Sequence, residues 1–404
     1  MHILIADKFE DSGVKDLKDQ GLKVTLDANL DGDSLTKALK EINPDVLVVR
    51  STKVKEDMLK ACEKLSLVIR AGAGVNTIDL ENASKLGIFV ANCPGKNSVA
   101  VAELTMGLLM SIDRRIAENA NDLRQGKWNK KEYSKAEGLK GKIFGLIGLG
   151  NIGKEVVQRA QGFEMPIIAW SRSLTDELAN KMKIKKCSSP LEVAKKADIV
   201  SIHVALTPET KNLCNEKFFS SMKKGAYFIN TSRAEVVDEK ALIKVMDEKG
   251  IKAGLDVFMD EPSSKDCDWQ TNLTKHPSVT GTHHIGASTN QAQQAIAEET
   301  VRIIKTYASE GVVLNCVNLD QDPVNACTLT IRHLNQVGVL AKVLGAIQAE
   351  DINVLEMENT LFSGDQAAIA KISLGKIPSK NLLDQVRKSN DAIISINLIH
   401  SGEN

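Results

Sequence analysis

The stretch Lys142-Ile-Phe-Gly-Leu-Ile-Gly-Leu-Gly-Asn-Ile-Gly153 decides the fold class. Its apolar first half predicts a buried strand, and its glycine-rich second half leads into a helix predicted over Lys154–Gly162. In such a strand–turn–helix unit, glycines permit a tight turn, a close approach of a pyrophosphate, and close packing of the helix on the strand. The context makes the motif much more specific than a bare GxGxxG. The predicted cofactor contacts in this turn are Gly148, Gly150, Asn151, Ile152 and Gly153.

Short apolar runs alternate with helical patterns on both sides of this motif. After it the strand-like runs are Pro166–Trp170, Asp198–Ala205, Ala226–Thr231, Ala253–Phe258 and Ser278–Thr282. Before it they are Ile3–Ala6, Lys23–Leu26, Val46–Arg50, Val68–Ala71 and Phe89–Asn92. Alternation at this spacing is typical of βαβ units with a parallel sheet. The sequence therefore predicts an α/β protein with two parallel-sheet domains, each Rossmann-like or flavodoxin-like.

The last part of the chain has a different pattern. After Asp320 the order is strand, helix, strand, strand, helix, strand, which is the ferredoxin-like βαββαβ arrangement. A long helix predicted over Gln291–Ser309 is expected to return to the first array. We therefore predict a discontinuous substrate domain (1–93 and 286–318), a dinucleotide-binding domain (94–285) and a C-terminal domain (319–404).

Composition excludes several classes of function. The 404 residues include 52 Lys plus Arg and 52 Asp plus Glu, so no excess of positive charge favours nucleic acid or an anionic membrane as partner. Seven cysteines without a CxxC pair disfavour a metal centre or a disulfide framework. The N-terminal residues read as a strand and carry no secretory-signal pattern, and no apolar run is long enough to span a bilayer. The expected location is the cytoplasm.

Polar residues follow several strands of the second array. Ligands bind at the carboxyl ends of parallel strands, so these residues are expected to share one site. A dehydrogenase needs a base for the hydroxyl proton, a cation for the carbonyl and carboxylate, and a group that orients the base. His284, Arg233 and Glu261 suit these three tasks. Each alone would more often be an ordinary surface or core residue, so their joint placement carries the hypothesis.

The end of the predicted strand Pro166–Trp170 bears on the choice of cofactor. The carboxylate that usually binds the adenosine ribose is replaced by Ser171 and Arg172. A hydroxyl does not repel a 2′-phosphate, and a guanidinium can pair with it. The pair therefore favours NADP over NAD, although an exposed arginine after a strand is common and leaves both cofactors open.

The whole chain resembles the D-isomer-specific 2-hydroxyacid dehydrogenases. The matching stretches are Arg70–Asn76, Asn92–Ser98, Ala102–Thr105, Gly126–Trp128, Gly148–Gly153, Asn230–Arg233, Leu255–Phe258, Glu261-Pro262 and His284–Thr289. The resemblance implies that His284 is the acid/base, that Glu261 hydrogen-bonds its imidazole, and that Arg233 holds the substrate carboxylate. It implies cofactor contacts at Thr231, Ser232 and Asp256, the last orienting the nicotinamide carboxamide. His283 has no implied role.

The resemblance also implies a small phosphorylated 2-hydroxy acid as substrate. Such a substrate needs cations beyond one catalytic arginine. The implied substrate contacts are Arg50, Ser51, Arg70, Ala73, Gly74, Val75, Asn97 and Lys130. The run that contains Lys130 is equally compatible with a solvated charged surface.

The C-terminal piece resembles an ACT domain, a small amino-acid-sensing module. His333, Asn335 and Asn353 match positions that bind L-serine in such domains, whereas Val337 stands where proline is frequent in the loop. A domain that serves only assembly is the alternative. Serine bound across two such domains would require a homo-dimer or a homo-tetramer.

The resemblance thus implies oxidation of 3-phosphoglycerate to 3-phosphohydroxypyruvate, the first step of L-serine synthesis, with inhibition by serine. A glyoxylate or hydroxypyruvate reductase has the same fold and catalytic residues, and Ser171 with Arg172 suits it slightly better. A nucleotide-sensing corepressor also shares the fold, but it lacks the C-terminal module.

Overall fold

The computed structural model describes residues 1–262, 266–320, 325–388 and 390–400. The chain divides into two compact units, Met1–Asn318 and Leu319–Asn404. The first unit contains two parallel sheets, and the second contains one antiparallel sheet. Within the described ranges, no helix is long and apolar enough to cross a membrane. The predicted α/β fold class is confirmed, whereas the division into three domains stays a prediction.

The first sheet is formed by five parallel strands in the order β2-β1-β3-β4-β5. Its strands are β1 (His2–Ile5), β2 (Lys23–Leu26), β3 (Val46–Val49), β4 (Leu67–Arg70) and β5 (Phe89–Asn92). Its helices are α1 (Asp11–Asp19), α2 (Gly32–Ile42), α3 (Glu56–Lys60) and α4 (Leu80–Lys85). The three inner strands are apolar and buried because helices cover both faces.

Three helices lead from this sheet to the second: α5 (Ser98–Arg114), α6 (Ile116–Arg124) and α7 (Lys130–Tyr133). The second sheet has seven parallel strands in the order β12-β11-β10-β9-β6-β7-β8. They are β6 (Phe144–Ile147), β7 (Ile167–Trp170), β8 (Lys185–Lys186), β9 (Ile199–Ile202), β10 (Tyr227–Asn230), β11 (Lys252–Leu255) and β12 (Val279–Gly281). The helices between them are α8 (Asn151–Gly162), α9 (Asp176–Lys181), α10 (Pro190–Lys196), α11 (Glu216–Ser221) and α12 (Glu239–Lys249).

A long helix, α13 (Asn290–Glu310), returns the chain to the five-stranded sheet. Its residues Ile296, Val301, Ile303 and Ile304 are buried in one cluster with Ile3, Ile5 and Val48 of the central strands. Burial of such aliphatic side chains stabilises each by about 1.5–3 kcal/mol relative to exposure. The helix therefore belongs to the core of the first sheet, although its sequence follows the second.

The second unit has the predicted βαββαβ order, which is confirmed. Its elements are β13 (Cys327–Leu334), α14 (Val339–Ala349), β14 (Val354–Leu361), β15 (Ala367–Leu374), α15 (Lys380–Lys388) and β16 (Ile393–His400). The antiparallel sheet has the order β14-β15-β13-β16, and both helices pack into its core. The edge strand β14 is almost entirely exposed.

Several strands are shorter than the sequence predicts. The strand predicted over Asp198–Ala205 is only Ile199–Ile202, and the one predicted over Ala253–Phe258 ends at Leu255. After Leu255 the chain leaves the sheet while Asp256, Val257 and Phe258 stay buried, whereas after Ile202 burial ends within three residues, since Ala205 is exposed. Apolar content alone does not distinguish a paired residue from a buried loop residue. The elements α6, α7 and β8 were not predicted.

Candidate active site

The residues proposed for catalysis follow three neighbouring strands of the seven-stranded sheet. Arg233 follows β10, Glu261 follows β11, and His284 follows β12. His284 Nδ1 lies 2.7 Å from Glu261 Oε2, so the ring and the carboxylate form a direct hydrogen bond. Glu261 Oε1 also accepts from the backbone N–H of Phe258 at 2.9 Å. The carboxylate is therefore fixed at both oxygens, and Nε2 of the imidazole is left for a ligand.

The environment keeps Glu261 ionised. Burial by itself raises the pKa of this carboxyl group, but the hydrogen bonds from His284 and Phe258 outweigh burial and leave the pKa below its usual value. The positive charge of Arg233 acts in the same direction. The ionised Glu261 accepts a hydrogen bond from Nδ1–H, which sets the tautomer of the imidazole and leaves Nε2 free to take a proton.

The backbone of His284 has a left-handed conformation, with φ at 53°. Non-glycine residues seldom adopt this conformation, and it persists where the surroundings enforce it. Here the carboxylate of Asp256 accepts from the N–H groups of Ile285 and Gly286, each at 2.9 Å, and from the Thr282 hydroxyl at 2.6 Å. Asp256 thus holds both sides of the turn that presents the imidazole, a task the sequence did not indicate.

The segment Thr231–Arg233 is held just as firmly. Asn230 donates from Nδ2 to the Arg233 carbonyl at 2.8 Å and accepts from the Ser232 hydroxyl at 2.7 Å. The Thr231 hydroxyl lies 3.0 Å from that of Thr105 on α5. Arg233 itself donates to the Ser232 carbonyl at 2.6 Å. The guanidinium is therefore positioned before any substrate binds.

Three half-buried arginines come from the two sheets. Arg50 follows β3, Arg70 ends β4, and Arg233 follows β10. Burial lowers the pKa of Arg70 to about 10, with further contributions from the positive charges of Arg233 and Arg50. Among the described residues, none of the three guanidinium groups has a carboxylate oxygen within 4.0 Å. Desolvated cations without a carboxylate partner within that distance form an anion-binding arrangement.

The loop Arg70–Asn76, here called the anion loop, approaches Arg233 closely. A Cβ atom at position 74 would collide with Nη2 of Arg233, and one at position 72 would collide with the guanidinium of Arg70. Glycine at both positions leaves room for the two guanidinium groups where they stand. The predicted substrate residues Ala73, Gly74 and Val75 thus lie beside the predicted catalytic arginine, and the Ala73 carbonyl accepts from Asn92 Nδ2 at 2.6 Å.

Asp7 supports the site but was not identified from the sequence. Its carboxylate oxygen Oδ2 accepts from the backbone N–H groups of Arg50, Ser51 and Thr52, at 2.7, 3.1 and 3.0 Å. Asp7 is 5% exposed and stands directly after β1, at the same edge of the sheet. A lone acidic residue directly after a buried strand was the signal that could have identified it.

The glycine-rich turn has the geometry of a phosphate-binding turn. Gly148 has φ at 95°, and a Cβ there would collide with the carbonyl of His203, while one at Gly153 would collide with the carbonyl of Gly148. The following helix α8 begins at Asn151, three residues before the predicted start, so its N-terminus opens directly on the turn. Backbone N–H groups at that N-terminus attract phosphate oxygens.

Several buried polar atoms at the same edges lack a partner. In the described part of the chain, Asn97 Oδ1, Ser98 Oγ and His203 Nδ1 are buried without a hydrogen bond. The first two stand at the start of α5, and His203 lies under the glycine-rich turn. Native proteins rarely leave such atoms unpaired, so bound ligands or water are expected there. The residues therefore fit a dinucleotide.

Two other predicted residues are exposed. Arg172 lies in the turn after β7, next to the half-buried Ser171. Lys130 stands at the start of α7, where its backbone carbonyl accepts from the Ser134 hydroxyl at 2.6 Å. The predicted substrate contact of Lys130 stays a prediction.

The three predicted effector residues lie in the second unit, but not at one place within it. His333 is buried, with Nε2 3.1 Å from Asn359 Oδ1, and Asn335 donates to the Asp365 carbonyl at 2.9 Å. Asn353 precedes β14, at the opposite end of that strand from Asn359. Its side chain is therefore remote from His333 in the same chain.

Comparison with known proteins places these features among dehydrogenases. The family model described as D-isomer specific 2-hydroxyacid dehydrogenase, NAD binding domain, matches residues 106–286. The D-3-phosphoglycerate dehydrogenase of Methanocaldococcus jannaschii is 35% identical over 407 residues, which cover 99% of this chain and 73% of that protein. The D-3-phosphoglycerate dehydrogenase of Rattus norvegicus is 38% identical over 319 residues, covering 77% of this chain and 58% of that one.

A solved structure gives the same result for the fold. The NAD⁺-bound 3-phosphoglycerate dehydrogenase of Entamoeba histolytica has a TM-score of 0.65 and 27% identity, and the match covers 79% of this chain and 99% of that one. The chain spans about three quarters of the archaeal relative and less than two thirds of the rat relative.

Proposed function

Because the chain belongs to the D-isomer-specific 2-hydroxyacid dehydrogenase family, we propose that it is a D-3-phosphoglycerate dehydrogenase. The reaction is nicotinamide-dependent oxidation of 3-phosphoglycerate to 3-phosphohydroxypyruvate at the start of serine synthesis. One observation carries the choice of substrate: three half-buried arginines, Arg50, Arg70 and Arg233, accompany the His284–Glu261 pair, and none has a carboxylate oxygen within 4.0 Å among the described residues. A substrate with a carboxylate and a phosphate supplies the anions that these cations lack.

The residues divide the chemistry between them. Arg233 binds the substrate carboxylate and polarises the C2 oxygen, and Nε2 of His284 takes the proton from the C2 hydroxyl. Glu261 accepts a hydrogen bond from Nδ1–H of the ring, and its negative charge stabilises the imidazolium that forms when Nε2 takes the proton. A bound nicotinamide supplies the acceptor for the hydride that leaves C2. Arg50 and Arg70 bind the phosphate, away from the reacting carbon.

We infer that the turn Gly148–Gly153 holds the cofactor pyrophosphate. Ser171 and Arg172 favour NADP, because neither group repels a 2′-phosphate and the exposed guanidinium can pair with it. Steady-state assays of both cofactors with 3-phosphoglycerate test this choice. Arg172→Ala should weaken NADP use and leave NAD use unchanged, and equal effects on both would contradict a role for Arg172.

The test of the substrate compares a phosphorylated with an unphosphorylated acid. Arg50→Ala should lower kcat/KM for 3-phosphoglycerate about a hundredfold, the loss of roughly two charge-assisted hydrogen bonds, and lower it far less for glyoxylate. Lys53→Ala, an exposed cation nearby, is the matched control. Equal losses on both substrates would favour the alternative, an NADPH-dependent glyoxylate or hydroxypyruvate reductase, and no turnover of 3-phosphoglycerate by the folded wild type would refute the proposal.

For the second unit we propose an ACT domain that binds L-serine between two copies of the chain. Two observations support a pair of copies: β14 is an open edge strand with Leu355, Met357 and Leu361 at least a third exposed, and Asn353 is remote from His333. If two β14 strands pair antiparallel, the start of one lies beside the end of the other, which brings Asn353 of one copy toward His333 of its partner.

Inhibition kinetics and light scattering test this arrangement. L-serine should inhibit the wild type, glycine should inhibit less, and either His333→Ala or Asn353→Ala should remove inhibition without loss of turnover. The exposed Trp128 and Lys130 near α7 are compatible with a further contact that makes a dimer or a tetramer. A monomer at assay concentration would refute the shared site.

A further inference from the structure

The open edge of the five-stranded sheet is covered by a short segment. Residues Asn315–Asn318, here called the edge strap, run antiparallel beside β5, with a bridge between Cys316 and Ala91. The N–H of Val317 donates to the carbonyl of Val90 at 2.8 Å. The edge strap ends the first unit, and the second begins at Leu319. The segment that enters the second unit is therefore part of the sheet that carries the arginines.

The side chain of Asn318 fastens the edge strap. Its Oδ1 accepts from the N–H of Val90 at 2.8 Å, and its Nδ2 donates to the carbonyl of Ile88 at 2.9 Å and to the hydroxyl of Ser84 at 3.2 Å. The amide thus contacts one group on β5, one in the turn before β5 and one on α4. No mechanism described above uses this residue.

The strand beneath the edge strap holds the anion loop. The Asn92 side chain donates to the Ala73 carbonyl at 2.6 Å, and the Cys93 N–H donates to the Gly72 carbonyl at 2.9 Å. The backbone N–H of Asn92 in turn donates to the Asn315 carbonyl. A continuous set of hydrogen bonds therefore joins the edge strap, the end of β5 and the anion loop.

A second path leaves the edge strap through Glu299. Asn315 Nδ2 donates to Glu299 Oε1 at 2.7 Å, and Lys96 lies 3.2 Å from Glu299 Oε2. The Glu299 side chain is 5% exposed. Next to Lys96, a Cβ at Gly95 would lie 2.9 Å from Asn151 Nδ2, at the start of the cofactor helix α8. This second path thus reaches Lys96 through Glu299, and the neighbouring Gly95 lies close to the Asn151 side chain.

We propose that the edge strap positions the anion loop. Asn318 is the positioning residue, because its hydrogen bonds to Val90, Ile88 and Ser84 fix the edge strap to β5, to the turn before it and to α4. The identity of the hydroxy acid rests on the proposed function. The positioning of the anion loop does not rest on it, because movement of the edge strap would disturb the hydrogen bond between Asn92 and the Ala73 carbonyl whatever the substrate.

The test uses the full chain with Asn318→Ala, and Asn318→Asp as the conservative variant that keeps the acceptor for Val90. Hydrogen exchange in peptides covering the anion loop should become about fivefold faster in Asn318→Ala, the effect of losing about 1 kcal/mol of local stability. The KM for 3-phosphoglycerate should rise with it while the KM for the nicotinamide stays unchanged. Asn318→Asp should bring both the exchange rate of the anion loop and the KM for 3-phosphoglycerate part of the way back to the wild-type values. Asn180→Ala, an exposed asparagine of α9, is the matched control.

If the folded Asn318→Ala chain exchanges hydrogen in the anion loop at the same rate as the wild type, the proposal is overturned. So would a lower melting temperature with both Michaelis constants raised equally, because that pattern marks general destabilisation. If the folded wild type does not turn over 3-phosphoglycerate, the proposed function fails, and the exchange measurement still decides the role of the edge strap.

Discussion

The carboxyl edges of the two parallel sheets are built on opposite electrostatic plans. On the seven-stranded sheet, Asp256 and Glu261 are fully engaged by protein donors, and the latter holds His284. On the five-stranded sheet, Arg50 and Arg70 are half-buried and have no carboxylate within 4.0 Å among the described residues. The two carboxylates of the first edge are paired within the protein, whereas the two arginines of the second edge have no such partner. Preorganised groups suit proton transfer, and unpaired cations suit binding.

The largest expected effect comes from removing the base at the carboxyl edge of the seven-stranded sheet. His284→Gln should lower kcat about a thousandfold, because the C2 proton loses its acceptor, while the KM for the hydroxy acid changes little. Steady-state kinetics with the hydroxy acid and the nicotinamide varied in turn would measure the change in kcat separately from the change in KM. His283→Gln is the matched control, since that ring is exposed and its neighbour supplies the bond to Glu261. A similar loss in both variants would show that the turn, and not the imidazole, is required.

A smaller effect is expected where the two edges meet. Gly74→Val should lower kcat/KM about a hundredfold, because the new side chain displaces the Arg233 guanidinium from its position. Gly107→Ala on α5 is the control: it has open space around it, and helix propensity favours alanine. Activity measurements on both variants test this effect, and circular dichroism shows whether both are folded. Normal activity in Gly74→Val would contradict the contact between the anion loop and Arg233.

The smallest effect concerns stability away from both edges. The hydrogen bond from Arg302, together with those from Asn315 and Lys96, outweighs burial and lowers the pKa of Glu299 to about 2. A carboxyl whose pKa is lower when folded stabilises the fold above its unfolded pKa, about 4.5, and this contribution is lost as the pH falls toward about 2. Glu299→Gln should therefore reduce the melting temperature at pH 7. As the pH falls from about 4.5 to about 2, the melting temperatures of the variant and the wild type should approach each other.

Thermal unfolding at several pH values, with Glu298→Gln as the exposed control on the same helix, measures this difference. A difference between wild type and Glu299→Gln that stays constant from pH 7 to pH 2 would show that the charge contributes nothing.

The sequence was most informative where a pattern is local. The glycine-rich turn after β6 was placed correctly, and the βαββαβ order of the second unit is confirmed because period-two and helical patterns reflect nearest neighbours. Family membership is confirmed by the relatives, and it came from motifs spread over the whole chain. The roles of the individual site residues stay predictions.

The sequence was least informative where a residue acts on a distant backbone. Asp7 binds three N–H groups of another loop, and Asp256 binds the turn after β12, although each appears in the sequence only as an acidic residue after a strand. Nothing local distinguishes such a carboxylate from one that binds a ligand. The predicted cofactor role of Asp256 and its observed bonds to Ile285 and Gly286 illustrate the difference.

By itself, the sequence determined the alternation of strands and helices, the glycines that suit a dinucleotide, and the motifs shared with the family. The tertiary structure alone decided that Gly74 receives the Arg233 guanidinium, that Asp256 holds the turn of His284, and that Asn318 closes the edge of the first sheet. The physical reason is the distance along the sequence over which each interaction acts. Hydrophobic periodicity is set within a few residues, whereas these contacts exist only after two sheets and a returning helix have packed.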